Sequence, residues 1–184
     1  MLLGARAQRT RCASFVTRAS SSSLARVTRV VPLKMITVSK GDRDADRLVA
    51  RYNERSARYA PMEEIVVKQN PKNVKCAEAQ KAHEGERVMK ALTSRDYVVA
   101  LDERGRDVSS EEFASIVAAI AERGYERGVF VMGGPYGHGE DVVKRANEKV
   151  RLSAMVLNHQ VARVVLAEAV YRAHTILRGE PYHH

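Results

Sequence analysis

Four glycines fall within the seven residues Gly133-Gly134-Pro135-Tyr136-Gly137-His138-Gly139. Glycines at this density permit positive φ angles and let a ligand approach the backbone closely. The loop follows the uniformly apolar run Val129–Met132, and open α/β sheets bind ligands at the C-terminal ends of their strands. It is a candidate cofactor loop, although on spacing alone a tight turn accounts for the same glycines. The common nucleotide motifs are excluded. The spacing is not G-x-G-x-x-G, no acid lies about 20 residues on to hold a ribose, and no Gly-Lys-Ser/Thr follows.

A second stretch is Leu152-Ser153-Ala154-Met155-Val156-Leu157, followed by the turn-forming Asn158-His159-Gln160. By periodicity it reads as a fifth strand and nothing more. The third is the C-terminus, Pro181-Tyr182-His183-His184, which reads either as a loose end or as histidines able to move protons near neutral pH. Cys12 and Cys76 are the only cysteines, which excludes a disulfide framework and a Cys-based zinc site.

Positioning these stretches requires a scaffold, and from Leu33 onward short β-branched runs alternate with helical segments, the pattern of a parallel sheet with crossover helices. The fold class is α/β. Strands are expected at Leu33–Val38, Ile65–Val67, Tyr97–Leu101 and Val129–Met132, with the third closed by a polar turn Asp102-Glu103-Arg104-Gly105. Helices are expected over Asp44–Tyr59 and Val74–Leu92. Another follows Ser109, where Glu112 three residues on completes a capping box and Phe113, Ile116, Val117 and Ile120 repeat at helical spacing. The last helix, His159–Arg178, is apolar nearly all round, as in a helix buried on more than one side or shared with a partner subunit. Within it Glu168 and Arg172 have i,i+4 spacing, open to a local helix pair or an active-site role.

The net charge of +9 is unevenly spread. Residues 1–30 carry six arginines and no acid, leaving 25 basic and 22 acidic residues for the body. That Arg- and Ser-rich stretch, with its run Ser20–Ser23, has the composition of an organellar transit peptide over residues 1–31, a basic RNA-binding tail being the alternative. The serine run favours the chloroplast, with the mitochondrion as alternative. Residues 32–184 then form one domain. No apolar stretch approaches the roughly 20 residues that span a bilayer, so no membrane segment is expected.

In register, these pieces resemble the RlmH family. They are Val98-Val99-Ala100-Leu101-Asp102 with Gly105, Val131-Met132-Gly133-Gly134-Pro135 with Gly137, Leu152-Ser153-Ala154-Met155 with His159-Gln160, the run Arg163 to Ala173, and Pro181-Tyr182-His183. That family methylates a pseudouridine of large-subunit ribosomal RNA and belongs to the SPOUT class, whose C-terminal part is tucked into a trefoil knot. The resemblance implies S-adenosylmethionine as cofactor, contacted by Leu101, Gly133, Gly134 and Gly137 and by Leu152, Ser153, Ala154, Met155, Val156 and Leu157. It also implies a homodimer and no metal.

The implied reaction transfers a methyl group to the weakly acidic ring nitrogen N3. The catalytic candidates are His159, Tyr182 and His183, with Arg163 and Arg172 as electrostatic partners. His titrates in the useful range, so a histidine is expected as base and Tyr182 as a positioning or stacking group. Lys68, Lys72, Lys75, Lys81, Arg87 and Lys90 are the basic side chains expected nearest the RNA. One departure stands out: bacterial relatives commonly carry an aromatic residue before the Leu-Ser motif, where Val150-Arg151 stand here. The alternative function is a non-catalytic SPOUT-fold factor that binds RNA during ribosome assembly.

Overall fold

The structure, a computed structural model, describes residues 30–69 and 75–181. Among these, five strands and five helices follow in the order β1 (Leu33–Ser39), α1 (Arg43–Ser56), β2 (Met62–Lys68), α2 (Ala77–Lys90), β3 (Asp96–Asp107), α3 (Ser110–Glu122), β4 (Arg127–Met132), α4 (Glu140–Arg145), β5 (Glu148–Arg151) and α5 (His159–Arg178). All strand pairs are parallel, in the spatial order β2-β1-β4-β3-β5. The expected α/β class is what forms.

Period-2 alternation divides the central strands between two cores. Leu33 and Met35, Tyr97 and Val99, and Phe130 and Met132 face α1, α3 and α5, where Val49, Phe113, Ile120 and Leu166 cover them. Ile36 and Val38, Val98, and Val129 and Val131 face α2 and α4 through Val88 and Val142. Burial on both faces explains why Val129–Met132 of β4 reads as an unbroken apolar run.

Helix starts follow their caps. The Asp42 carboxylate accepts from the Asp44 and Ala45 amides, at 3.1 and 3.0 Å. The capping box at Ser109 is complete, with Glu112 N donating to Ser109 Oγ at 3.2 Å and Ser109 N to Glu112 Oε2 at 2.7 Å. Such caps are each worth about 1 kcal/mol.

Two expectations are corrected. Strand β3 does not close at Leu101; it runs on to Asp107, with a register shift against β5 between Leu101 and Arg106. Gly105 makes that second contact possible, since a Cβ there would lie 2.5 Å from the Val150 carbonyl carbon. The fifth strand is Glu148–Arg151, not Leu152–Leu157, and a short helix, α4, precedes it. Strand β5 is a polar edge held by ion pairs across to β3, Arg106–Glu148 at 2.6 Å and Arg151–Asp107 at 2.5 Å. At the other end, Val31 is 3% exposed and packs in the core beside Leu33.

Leu152–Asn158 carries the chain from the sheet edge to its centre. It leaves β5, crosses the C-terminal ends of β3 and β4, and enters α5, where Gln160 Nε2 donates to Ser39 Oγ at the end of β1, at 2.9 Å. The run read as a strand is therefore the bridge that brings its residues over the C-terminal edge of the sheet.

Candidate cofactor cleft

Beneath that bridge lies a cleft of about 820 Å³. Its floor is Leu101, partway along β3, and the end of β4 at Met132. One wall is the glycine loop, the other the passage Leu152–Leu157, and the first turn of α5 closes it with His159 and Ala162. Nine of the ten residues assigned to the cofactor from sequence line it; Ala154, in the same passage, does not.

The glycine loop is a tight turn and a cleft wall at once. Gly137 N donates to Gly134 O at 2.9 Å, and Gly137 sits at φ 84°. A Cβ on Gly133 would come within 2.7 Å of the Gly137 backbone, and one on Gly134 would strike the Glu84 carboxylate. At Gly133 two backbone passes are thus packed closer than any side chain allows, which leaves bare backbone in this wall beside Pro135, Tyr136 and His138.

His138, inside that loop, fastens it to the sheet. Its Nε2 lies 2.8 Å from the Leu101 carbonyl, which can only accept, so Nε2 carries the proton. Burial lowers the pKa of this ring, against the opposing pull of the Leu101 bond and the Asp102 charge, and the neutral form is favoured. Sequence reading missed His138 as a site residue. Its signal was there: a histidine flanked by glycines in a loop already suspected of binding.

His159 opens α5 at the cleft, with Asn158 as N-cap accepting from Gln160 N at 2.9 Å. Its Nε2 is shielded from solvent and has no hydrogen-bond partner among the described residues. Desolvation, reinforced by the Arg163 charge, lowers its pKa and keeps it neutral near pH 7. On the facing passage Ser153 Oγ accepts from Met155 N at 3.0 Å, turning the chain so that Met155 and Val156 stand 74% and 85% exposed.

The other proposed catalytic residues do not converge here. Arg163 is 1% exposed and lies outside the cleft. It is committed to Asp46 at 2.8 Å, Glu64 at 3.0 Å and Gln160 at 2.8 Å, so it pins α5 to α1 and β2 and has no face left for a substrate. Arg172 pairs with Glu168 at 2.7 Å, the local helix pair that its spacing allowed, and is likewise not a cleft residue. Tyr182 and His183 lie outside the described residues. Of the basic side chains expected near RNA, Lys81 lines the cleft, joined by Arg104 and Lys149, while Lys72 lies outside the described residues. At the departure from the family pattern, Val150 is fully buried against β3 and Arg151 contributes to the cleft wall while paired with Asp107.

A parallel α/β sheet with a backbone-lined cleft at its C-terminal edge, roofed by a chain passage that crosses two strands, defines a ligand-binding α/β domain. The comparisons make the class specific. The family model described as "Predicted SPOUT methyltransferase" matches residues 31–183. The chain is similar to "Putative RNA methyltransferase" of Arabidopsis thaliana, 46% identical over 157 residues, covering 85% of this chain and 81% of that protein. It is 38% identical to "Ribosomal RNA large subunit methyltransferase H" of Christiangramia forsetii, over 83% of this chain and 98% of the relative. The protein of that name from Parabacteroides distasonis is 42% identical, over 83% and 99%. The chain belongs to the SPOUT methyltransferase family and, within it, to the RlmH group.

Proposed function

We propose that this protein uses S-adenosylmethionine to methylate N3 of a pseudouridine in the large-subunit ribosomal RNA of an organelle, the chloroplast before the mitochondrion. The observation that carries the reading is the convergence of Leu101, the glycine loop and the Leu152–Leu157 passage on one cleft. At about 820 Å³ it has the size of small-molecule sites, and the buried, unpartnered Nε2 of His159 is a polar group in need of a ligand. These residues fit the cofactor: close-packed backbone at Gly133 and Gly134 for its polar groups, and Leu152, Val156 and Leu157 as apolar walls.

When bound, the cofactor supplies an electrophilic methyl group. The chain must then align the acceptor nitrogen with it and remove the N3 proton. His159, neutral by burial, has the lone pair to take that proton at Nε2. Lys81, Arg104 and Lys149 on the rim attract the RNA backbone.

A homodimer belongs to the same proposal. Exposed Met155, Val156 and Val161 beside the cleft provide apolar surface for a second copy. The trefoil knot is read from the family together with the crossing of Leu152–Asn158 over β3 and β4.

Calorimetric titration with S-adenosylmethionine tests the reading. Binding by the folded protein, and loss of methyl transfer to ribosomal RNA in His159→Ala, support it. A folded protein that binds no S-adenosylmethionine favours the non-catalytic alternative.

A further inference from the structure

Tyrosines in the described residues pack against other rings. Tyr52 and Tyr59 each lie 6.2 Å from Tyr171, Tyr59 is also stacked on His174 at 5.4 Å, and Tyr97 meets Tyr125 edge-on at 5.1 Å. Tyr136 is the exception. It is 54% exposed, its ring meets no other ring among the described residues, and it lies in the wall of the cofactor cleft. A ring left in water forgoes the burial that its apolar faces would gain, so a ligand with a flat apolar face is favoured there.

The backbone presents this ring rigidly. Pro135 and Tyr136 are the two central residues of the turn closed by Gly137 N donating to Gly134 O at 2.9 Å, and Gly137 follows at φ 84°. Pro135 fixes its own φ by its ring. Gly133 packs on the Gly137 backbone and Gly134 on the Glu84 carboxylate, both too closely for a Cβ, so the loop has no room to give on either side. Only the two side-chain torsions of Tyr136 are left to order when a ligand arrives, a small entropic cost.

The side chains around the ring carry positive charge. Lys81, Arg104 and Lys149 line the same cleft, and no ion pair holds any of them among the described residues. The acids of the lining are Asp102 and Glu103, and Asp102 Oδ1 is occupied by Arg104 N at 2.8 Å. Arg151 is paired with Asp107. A flat aromatic face set among cations is the surface that takes unpaired nucleic acid, since bases stack on the ring and the cations hold the phosphates. Met155, Val156 and Val161, also exposed beside the cleft, have no flat face to offer a base.

We infer that Tyr136 is the stacking platform for an unpaired base of the substrate RNA at the mouth of the cofactor cleft, while Lys81, Arg104 and Lys149 take the adjoining phosphates. The inference rests on the proposed RNA methyltransferase. A base drawn out of a hairpin loses the stacking of its neighbours, and the Tyr136 ring replaces it. Every base has a π face, so this contact contributes affinity and fixes the path of the strand without reading its sequence.

The chain contains no tryptophan, so Tyr136→Trp places a single fluorophore at the platform. Its emission, the affinity for purified large-subunit ribosomal RNA, S-adenosylmethionine affinity and sedimentation are measured on full-length Tyr136→Trp, Tyr136→Phe and Tyr136→Leu beside the wild type. Large-subunit RNA is expected to quench the emission of Tyr136→Trp, and unbroken double-stranded RNA is expected to leave it unchanged. Tyr136→Phe should bind RNA within about twofold of the wild type, and Tyr136→Leu roughly ten- to fiftyfold more weakly. The salt dependence of binding should be the same in both, because no charge is lost. Wild-type RNA affinity in Tyr136→Leu, or emission indifferent to RNA, overturns the inference. So does a loss of S-adenosylmethionine binding or a changed oligomeric state in Tyr136→Leu, which would assign the ring to the cofactor or to a second copy. None of these readouts requires turnover, so a wild type that methylates no pseudouridine yet shows the expected binding loses the proposed reaction and keeps the stack.

Discussion

The imidazole of His138 donates to the carbonyl of Leu101 at 2.8 Å, tying the glycine loop after β4 to the neighbouring strand β3. The two halves of the cofactor cleft come from strands adjacent in the sheet but separated by a whole helix in sequence, and this bond fixes their spacing. A neutral hydrogen bond is worth about 0.5–1.5 kcal/mol. His138→Phe, which fills the space without donating, is expected to weaken S-adenosylmethionine binding about three- to tenfold by calorimetry. Unaltered affinity would remove His138 from the account.

Gly133→Ala is expected to be more severe. The new Cβ would meet the Gly137 backbone at 2.7 Å, and backbone cannot rotate away as a side chain can. The loop must move, and cofactor affinity should fall by more than tenfold while the far-ultraviolet circular dichroism stays that of the wild type. A variant binding as tightly as the wild type would show that the loop's close packing is immaterial to binding.

Much of this was legible in the sequence. The β-branched run of β1, the apolar run of β4, the capping box at Ser109 and the convergence of Leu101, Gly133 and Leu152 on one site all follow from local pattern or family likeness. The errors have physical causes. Asp102-Glu103-Arg104 is polar and reads as a turn, yet β3 continues because Gly105 lets Val150 approach. Strand β5, with only Val150 buried, draws its pairing from ion pairs with β3, and no alternation of apolar residues announces it. Helix α4 spans six residues, too few for a helical period to show. For Arg163, expected from its position near the cofactor loops as an electrostatic partner, only tertiary packing reveals Asp46 and Glu64 around it.

Arg163 then yields a stability prediction. Removing one partner of a buried ion pair costs about 3–5 kcal/mol, because the other charge is left uncompensated. Arg163→Met should lower the melting temperature by roughly 10 °C, at about 2–4 °C per kcal/mol for a domain of this size. A melting temperature within a degree or so of the wild type would contradict the structural role given to Arg163.

His174 makes stability depend on pH. Burial, and secondarily the charge of Arg178, lower its pKa from 6.5 to about 4 in the folded state. The unfolded chain therefore binds the proton more readily. Stability from this residue is complete above about pH 6.5 and is lost as the pH falls toward 4, about 3 kcal/mol in all. Urea melts of the wild type across this window should show that decline, and His174→Phe should flatten it. An identical slope in the variant would mean that other groups carry the acid sensitivity.

The central claim is methylation of a pseudouridine in organellar large-subunit RNA. Its most direct test is a map of N3-methylated pseudouridine in chloroplast and mitochondrial large-subunit RNA from cells with and without this protein. The account predicts one modified position, in the chloroplast RNA, that is present with the protein and absent without it. Identical maps in both organelles, with and without the protein, would contradict it.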